Sequence, residues 1–417
     1  MKTAIEIWSH VFQIPLKDSA LSSKEFFEQR TSAPKSREDL FWDTRWAVFD
    51  DREEIMMGSM IAAPYTMQFD GHDVPMAGIG GVAALPPYRK NGCTRACLTR
   101  VLQAAYKDGM LFSYLYPFSA AFYRKFGYGH AGERNRWKIR TDAIPDFPAP
   151  GSYRLLDETP DVPKSGSCGI PDENAGKPRC EADLRCADDA WYRKYNLMTR
   201  DEDVEYRAMK SLYPYENTAY TYVYYDGEQH PAAAITYSKK PENGTSVLQC
   251  SRFVFENAEG CRALLSLIRK EQAQYDLAEI VLPGDFDLSA ILPEWKKGAV
   301  SCVREQYGMV RVVNAEQVLR LAKVRGSGTL RIRITDDIIE DNNACFLASF
   351  KNGTVTDVRK ADDPEEIALS INAFSTLIAG RCDPEMLPYL PEVDLHCPIE
   401  KAGQLFYRKP VFTSRMF

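Results

Sequence analysis

The sequence predicts an α/β or α+β protein with mixed sheets, and three observations support that fold class. Strand-like runs alternate with helix-like periodicity along most of the 417 residues. A chain of this length usually divides into two or three cores. A stretch rich in proline and glycine at 144–178 separates two alternating regions, as is typical of a domain boundary.

The first region is predicted to contain a helix, three strands, a second helix, a fourth strand and a short helix. Residues 1–30 have a helical pattern, and strands are expected at 45–51, 54–70 and 72–86. Asp70-Gly71, between the last two strands, is a hairpin signal. Apolar residues then recur at helical spacing, at Cys97, Leu98, Val101, Leu102 and Ala105. A buried strand at 109–118 and a short helix and turn at 119–128 complete the region.

Beyond the boundary a similar order of elements recurs. A helix is expected at 187–209, a hairpin around Asp226-Gly227 and an amphipathic helix at 261–275. From about Tyr307 onward, strand-like runs alternate with helix-like stretches at 315–324 and 363–380, and a last strand-like run covers 406–412. This mixture predicts a small α+β unit at the end of the chain.

Charge and hydropathy exclude several classes of function. The net charge is -6 and the pI is about 5.6, which disfavours general binding to nucleic acid or to an anionic membrane. The first residues contain charges throughout and no continuous apolar core, so no signal peptide is expected. No apolar stretch approaches the roughly 18 residues that a membrane-spanning helix needs.

The 11 cysteines are an odd number, as expected for free thiols in a reducing cytosol. The segments around six of them predict buried side chains, at Cys93, Cys97, Cys250, Cys261, Cys302 and Cys345. The only cluster is Cys168, Cys180 and Cys186, whose spacing matches no common zinc module. We therefore expect no metal site.

A basic turn, "PPYRKNGCTRACL" at 86–98, precedes the first amphipathic helix. A helix start presents unpaired N–H groups that attract phosphate, Gly92 permits close approach, and Arg89 and Lys90 add positive charge. The alternative is an ordinary solvated loop. The turn is not a P-loop, and "GIGG" at 78–81 lacks the third glycine of a dinucleotide fingerprint.

The strand "GGVAAL", this turn and the long helix together resemble the acyl-CoA-binding core of the GNAT acetyltransferase superfamily. That family's pattern is Arg/Gln-x-x-Gly-x-Gly/Ala; Arg89 and Gly92 match it, whereas Thr94 replaces the last small residue. With "AAFYRKFGYGHAG" about thirty residues later, nearly the whole chain resembles the Eis (enhanced intracellular survival) branch.

The resemblance implies tandem GNAT-type acetyltransferase domains with mixed central sheets, plus a C-terminal sterol-carrier-protein-like α+β domain. The catalytic domain would occupy 1–150, a second GNAT-like domain without cofactor 151–305, and the C-terminal domain 306–417. It also implies a cytoplasmic bacterial protein that assembles as a homo-oligomer, a hexamer, and uses acetyl-CoA as its cosubstrate.

The same resemblance assigns the site residues. Tyr123 would be the general acid, suited because a phenol stays protonated at neutral pH, and the Phe417 carboxylate would be the general base. Backbone groups of a splayed strand would hold the thioester and pantetheine, and amides from Lys90 to Arg95 the diphosphate. The implied cofactor-binding residues are Val82, Ala83, Ala84, Arg89, Lys90, Asn91, Gly92, Cys93, Thr94, Arg95, Phe118 and Ser119. From the pattern alone, Tyr123 could be a packed aromatic and Phe417 a frayed tail.

The acceptor implied is an amine of a small molecule or a protein lysine. Family members that acetylate aminoglycosides have an acidic residue beside the terminal one; here Met416 stands there, and Gly80-Gly81 replaces a bulkier residue. A smaller or less cationic amine is therefore an alternative. Two other functions stay open, namely an apolar-ligand carrier or sensor with a silent GNAT domain, and transfer of longer acyl chains, as in N-myristoyltransferases.

Overall fold

A computed structural model describes residue 11 and residues 45–52, 55–155, 181–199, 219–242, 244–294, 298–362 and 364–413. The described residues fall into two compact units. One draws on Met1–Gly132 and Gln306–Phe417, and the other on Glu133–Glu305. The helix predicted at 1–30 lies outside the described residues apart from Val11, which is helical.

The first elements match the predicted order of strands and helices. In chain order they are β1 (Arg45–Phe49), β2 (Met56–Phe69), β3 (His72–Ala84), α1 (Cys93–Lys107), β4 (Phe112–Leu115), α2 (Ala120–Arg124) and β5 (Gly129–Arg140). The Asp70-Gly71 hairpin is confirmed: Phe69 pairs with His72, and both turn residues have positive φ, 49° and 92°. This is the backbone geometry of a tight two-residue hairpin turn.

The following elements include the second hairpin and the second long helix. They are β6 (Ser152–Leu155), α3 (Glu181–Lys194), β7 (Ala219–Tyr225), β8 (Pro231–Glu242), β9 (Thr245–Phe255), α4 (Ala258–Lys270), β10 (Leu277–Pro283) and β11 (Val300–Val312). In the unit Glu133–Glu305 the strand order is β5-β10-β9-β8-β7-β6, and only β10 and β9 pair in parallel. Helices α3 and α4 pack on this sheet, where the Trp191 indole donates to the Phe255 carbonyl at 2.7 Å.

In the other unit, β1, β2, β3, β4 and the end of β11 form a mixed sheet in that order. Strand β3 runs parallel to β4, and the remaining pairs are antiparallel. Helix α1 covers the sheet with the face that its periodicity predicts, because all five predicted positions, Cys97, Leu98, Val101, Leu102 and Ala105, are buried.

The C-terminal elements are α5 (Ala315–Leu321), β12 (Gly328–Thr335), β13 (Cys345–Lys351), β14 (Thr354–Lys360), β15 (Ile367–Ser370), α6 (Ile371–Ile378), β16 (Val393–Leu395) and α7 (Ile399–Ala402). Their strands build a five-stranded sheet in the order β14-β13-β12-β15-β16, with β12 and β15 parallel.

Two predictions for this region are wrong. The helix-like stretch 363–380 begins with strand β15, because Ile367–Ser370 pair with β12, and the helix starts only after Ser370, whose side chain caps the Ala373 amide. The run 406–412 contains no named strand. There, Pro410 has no N–H group, and the Lys409 amide bonds to the Gly380 carbonyl at 2.9 Å.

Five of the six cysteines predicted to be buried are buried. Cys302 is the exception: it is exposed, because residues 301–304 of β11 all lie at the surface. Cys186 is a half-buried free thiol in α3, whereas Cys168 and Cys180 lie outside the described residues. No helix in the described part of the chain is long and apolar enough to cross a membrane.

Candidate active site

Strands β3 and β4 part at the point where the sequence predicts a ligand. They pair from Met76–Phe112 to Ile79–Leu115, after which β4 ends and β3 continues to Ala84. Beyond Ile79, no described strand continues the ladder on the β4 side of β3. Within the described part of the chain this edge of β3 has no neighbouring strand, and such an edge can hydrogen-bond an extended ligand, as in peptide recognition.

A β-bulge bends β3 at the same place. Ser59 faces Ala83 and Ile61 faces Gly80, so Gly81 and Val82 together oppose a single residue of β2. Gly81 has a φ of +57°, a left-handed conformation that favours glycine. The bulge gives a physical reason for a glycine at this position.

The basic turn connects the end of β3 to α1 and is exposed. The Arg89 side chain folds back, with Nε donating to the Ala84 carbonyl at 3.2 Å. Lys90 and Gly92 both have positive φ, 68° and 84°, which turns the chain sharply into the helix. Gly92 occupies the N-cap without a capping side chain, and a Cβ built on it meets nothing within 4 Å. The N-cap position of α1 therefore faces open space.

The start of α4, in the second GNAT-like region, has the opposite character. The Asn257 side chain accepts from the Gly260 amide at 2.9 Å, so the end of this helix is already capped. Its first turn also carries Glu259, which accepts from the Tyr224 hydroxyl at 2.7 Å, whereas the first turn of α1 has no acidic residue. Of these two helix starts, only that of α1 combines uncapped amides with basic neighbours, as an anion site requires.

Tyr123 lies in α2, a five-residue helix that the Ser119 side chain caps by accepting from the Phe122 amide at 3.4 Å. The tyrosine is 2% exposed. Ring centroids of Phe118 and Phe122 lie 5.5 and 5.1 Å from its own. Burial raises the pKa of the Tyr123 phenol, and the nearby Tyr128 hydroxyl adds to the effect. The group therefore keeps its proton at neutral pH and above.

A buried polar chain lies beside Tyr123. The Ser113 hydroxyl donates to the Ala77 carbonyl at 3.0 Å, so the Tyr128 hydroxyl, 2.7 Å away, donates to Ser113. Burial raises the pKa of Tyr128 to about 12, although the Ser113 hydrogen bond and the Arg311 charge act against it. Among the described residues, the Tyr123 hydroxyl makes no hydrogen bond of this kind.

The predicted site residues that the structure describes come from neighbouring elements. Ile79 of β3, Leu98 of α1 and Tyr123 belong to one buried cluster, against which Val82 packs. The Arg95 guanidinium lies 5.5 Å from the centre of the Phe126 ring, which links the first turn of α1 to the segment after Tyr123.

The remaining residues of the predicted site differ in how far the structure describes them. Phe118 is 73% exposed, although its ring contacts Tyr123. Phe417 and Met416 lie outside the described residues, and the role of Phe417 stays a prediction. The last described residue, Thr413, has its Oγ1 3.5 Å from the hydroxyl of Tyr116, directly after β4.

One contact beside Tyr123 has no counterpart in the sequence pattern. The Asn372 side chain, in α6, donates to backbone carbonyls on both sides of the turn after Tyr123. No local pattern marks this residue, because its partners are 244 and 248 positions away. The glycines of "FGYG" were the only available signal, since glycine permits another segment to approach closely.

Comparison with protein families agrees with this arrangement. A GNAT acetyltransferase domain matches residues 1–131, a second GNAT acetyltransferase domain matches 188–312, and a sterol carrier protein domain matches 315–413. The chain therefore contains two GNAT acetyltransferase domains. The predicted fold class, two GNAT domains followed by a sterol-carrier-protein-like domain, is confirmed.

Solved structures share this GNAT architecture over the whole chain. A GCN5-related N-acetyltransferase from Anabaena variabilis is 20% identical, with TM-score 0.77, covering 100% of this chain and 97% of that one. A probable N-acyltransferase of unknown function from Enterococcus faecalis is 19% identical, with TM-score 0.80 and the same coverage. Eis1 from Mycobacterium abscessus is 19% identical, with TM-score 0.73, covering 96% and 99%. At these identities the likeness concerns the fold. The curated proteins include no match.

Proposed function

We propose that the first GNAT domain transfers an acetyl group from acetyl-CoA to a primary amine, with Tyr123 as general acid and the Phe417 carboxylate as general base. The single observation that carries the proposal is the uncapped, basic start of α1 beside the bulged end of β3. A CoA diphosphate needs convergent N–H donors and positive charge, and both are present there.

The diphosphate would lie against the backbone amides from Lys90 to Arg95. The open space around Gly92 allows the anion to approach the helix end, and the exposed Lys90 side chain adds charge. The Arg89 guanidinium, bonded to Ala84, keeps its charge close to the end of β3. Glu259 and the Asn257 cap disfavour an equivalent role for α4.

The pantetheine and thioester would run along β3 beyond its last pair with β4. Backbone groups of Val82, Ala83 and Ala84 would bond the pantetheine amides as a neighbouring strand does. The site would thereby hold the thioester carbonyl at a fixed distance from the acceptor, which is the main contribution of proximity to catalysis. Phe118 and Ser119 would border the other side.

Acetyl transfer requires that the amine lose a proton and that the sulfur gain one. The amine nitrogen forms a bond to the thioester carbon, the carbon–sulfur bond breaks, and the CoA thiolate takes the proton of the Tyr123 hydroxyl. The Phe417 carboxylate would accept the proton from the amine. The raised pKa of Tyr123 supports its part, because the phenol stays protonated until a thiolate forms beside it.

The test is a free-thiol assay of a panel of amines with acetyl-CoA. We expect turnover that Tyr123→Phe lowers by about 100-fold or more at little cost in acetyl-CoA affinity, the range for general acid catalysis. A variant extended after Phe417 should lose turnover in the same way. Unchanged turnover in both variants would remove the acid and base assignments.

Cofactor binding is tested separately, by titration with CoA. Lys90→Glu should weaken binding about tenfold or more, since a hydrogen bond to a charged group contributes roughly 1.5–3 kcal/mol. Lys107→Glu, at the other end of α1, changes the net charge equally and is the matched control. Equal effects of the two substitutions would indicate long-range attraction and contradict a diphosphate site at the turn.

The acceptor is proposed as a class, a primary amine of a small molecule or of a protein lysine. Aminoglycosides belong in the panel, but Met416 and Gly80-Gly81 make smaller or less cationic amines equally good candidates. A series of acyl-CoA chain lengths separates acetyl transfer from transfer of longer chains. We further propose a cytoplasmic hexamer with domains at 1–150, 151–305 and 306–417, which sedimentation and limited proteolysis would test.

A further inference from the structure

One side chain of the C-terminal domain bridges the segment that follows Tyr123. The Asn372 Nδ2 group donates to the Arg124 carbonyl at 2.6 Å and to the Tyr128 carbonyl at 3.0 Å. Arg124 is the last residue of α2 and Tyr128 directly precedes β5. A single amide group therefore fixes both ends of the turn that connects the tyrosine helix to the sheet.

The two glycines of "FGYG" make this approach possible. A Cβ on Gly127, whose φ is +83°, would overlap the Arg311 guanidinium and lie 2.8 Å from the Ile371 side chain. A Cβ on Gly129 would overlap the Asn372 carbonyl and the Thr376 hydroxyl. Both glycines thus face groups in or beside α6, so the motif serves the docking of the C-terminal domain.

An ion pair reinforces the same contact. Arg124 pairs with Glu392, and the Ser370 hydroxyl donates to the Glu392 carboxylate at 2.6 Å. The Arg124 and Glu392 side chains are 35% and 33% exposed, so water and salt weaken this pair. The Asn372 amide is the stronger restraint, because it satisfies two backbone carbonyls directly.

Helix α2 depends on such restraints because it has only five residues. A helix this short is not stable alone, and its last carbonyls accept from amides of the turn that follows, where the Gly127 amide donates to the Arg124 carbonyl at 3.1 Å. Ser119 supplies the N-terminal cap, and Asn372 supplies a donor at the other end. Tyr123 lies between these two fixed points.

We propose that Asn372 is a positioning residue that orients Tyr123 for protonation of the leaving thiolate, so that the C-terminal domain completes the active site through this clamp. This inference rests on the proposed function of Tyr123. Catalytic groups tolerate little displacement, and an error of about 1 Å can lower a rate about 100-fold.

The decisive variant is Asn372→Asp, which keeps the side-chain size but replaces the donor with a carboxylate facing two carbonyl oxygens. Asn372→Ala removes the donor without adding charge and serves if the first variant does not fold. Ser375→Ala is the matched control, because Ser375 also lies in α6 but accepts from the Val312 amide at 2.8 Å, away from α2.

Two readouts separate positioning from general loss of stability. Asn372→Asp or Asn372→Ala should lower kcat about tenfold or more with little change in the KM for acetyl-CoA, whereas Ser375→Ala should keep kcat. The second readout is 19F NMR of protein labelled with 3-fluorotyrosine, in which Tyr123→Phe assigns the Tyr123 resonance. That resonance should shift or broaden in the Asn372 variants and stay in place in Ser375→Ala.

The outcomes distinguish the two proposals. If the wild-type protein transfers no acetyl group, the proposed function fails, and the NMR result alone decides whether Asn372 positions Tyr123. An unmoved Tyr123 resonance in a folded Asn372 variant overturns the inference. Unchanged kcat in an active enzyme overturns it as well, as does an equal loss of kcat in Ser375→Ala.

Discussion

The buried ion pair between Asp70 and Lys409 allows a quantitative test of how the C-terminal segment is anchored. Lys409 Nζ lies 2.6 Å from the Asp70 carboxylate, and the two side chains are 4% and 3% exposed. The same carboxylate accepts from the Lys323 amide at 2.8 Å. The pair joins the β2–β3 hairpin to a segment that ends near the proposed base, so its loss would affect both stability and the active site.

We expect Lys409→Met to destabilise this region by about 3–5 kcal/mol, the range found when one partner of a buried pair is removed. An exposed pair would contribute only about 0–1 kcal/mol, and the burial of both side chains decides between these ranges. Methionine retains the apolar part of the side chain, so the main loss is the ammonium group. Asp70 then keeps a buried charge without the ammonium group that lay 2.6 Å from it.

The double variant Asp70→Asn/Lys409→Met should recover most of this loss. Burial and the nearby Lys323 charge lower the pKa of Lys409 despite the opposing effect of Asp70, and replacing both members of a buried ion pair by neutral groups is often neutral for stability. Removing both charges should therefore change the free energy of unfolding only a little. Asparagine also tolerates the positive φ of 49° at this position and can accept from the Lys323 amide.

Hydrogen exchange measured by mass spectrometry suits a chain with more than one compact unit, because it gives local free energies of opening. Peptides from β2, β3 and α6 should exchange faster in Lys409→Met, because their local free energy of opening should fall by about 3–5 kcal/mol. A fall of less than about 1 kcal/mol in this free energy would mean that the Asp70–Lys409 pair contributes no more than an exposed ion pair. A double variant as unstable as the single one would refute the desolvation argument.

Three further predictions concern pH and the glycines. Because burial raises the pKa of Tyr123, kcat/KM for the amine should show no descending limb below about pH 10, and a limb near pH 8–9 would contradict the assignment. Burial would raise the pKa of the Asp336 carboxyl, but the Arg311 charge and the hydrogen bonds to this carboxyl outweigh burial and lower the pKa. The stability that Asp336 contributes is therefore present above about pH 4 and is lost as pH falls through the folded-state pKa. We expect thermal unfolding of Asp336→Asn, measured across this pH range, to lack the acid-dependent loss. Gly127→Ala and Gly109→Ala both place alanine at positive φ, at a cost of about 1–2 kcal/mol, but only the alanine at position 127 overlaps other atoms. We therefore expect the lower melting temperature for Gly127→Ala, and equal melting temperatures would contradict the docking role of Gly127.

Local structure followed from the sequence where short-range physics decides it. The Asp70-Gly71 hairpin has residues suited to positive φ, and the apolar face of α1 matches helical spacing. The uncapped start of α1 could also be anticipated, because Gly92 has no side chain to cap it. These features depend on residues within a few positions of one another.

Features that depend on distant partners could not be anticipated. Residues 367–370 have a helix-like pattern, yet they pair with β12 more than thirty positions earlier. Asn372 contacts the carbonyl of Arg124 across 248 positions, and nothing near either residue indicates the other. The exposure of Cys302 likewise depends on which part of β11 is covered by other elements.

The most direct test of the central claim is a crystal structure with CoA bound. We expect diphosphate oxygens within about 3 Å of backbone nitrogens between Lys90 and Arg95, with the sulfur beside the Tyr123 hydroxyl. A diphosphate bound at the start of α4, or one held without any of these amides, would contradict the proposed CoA site.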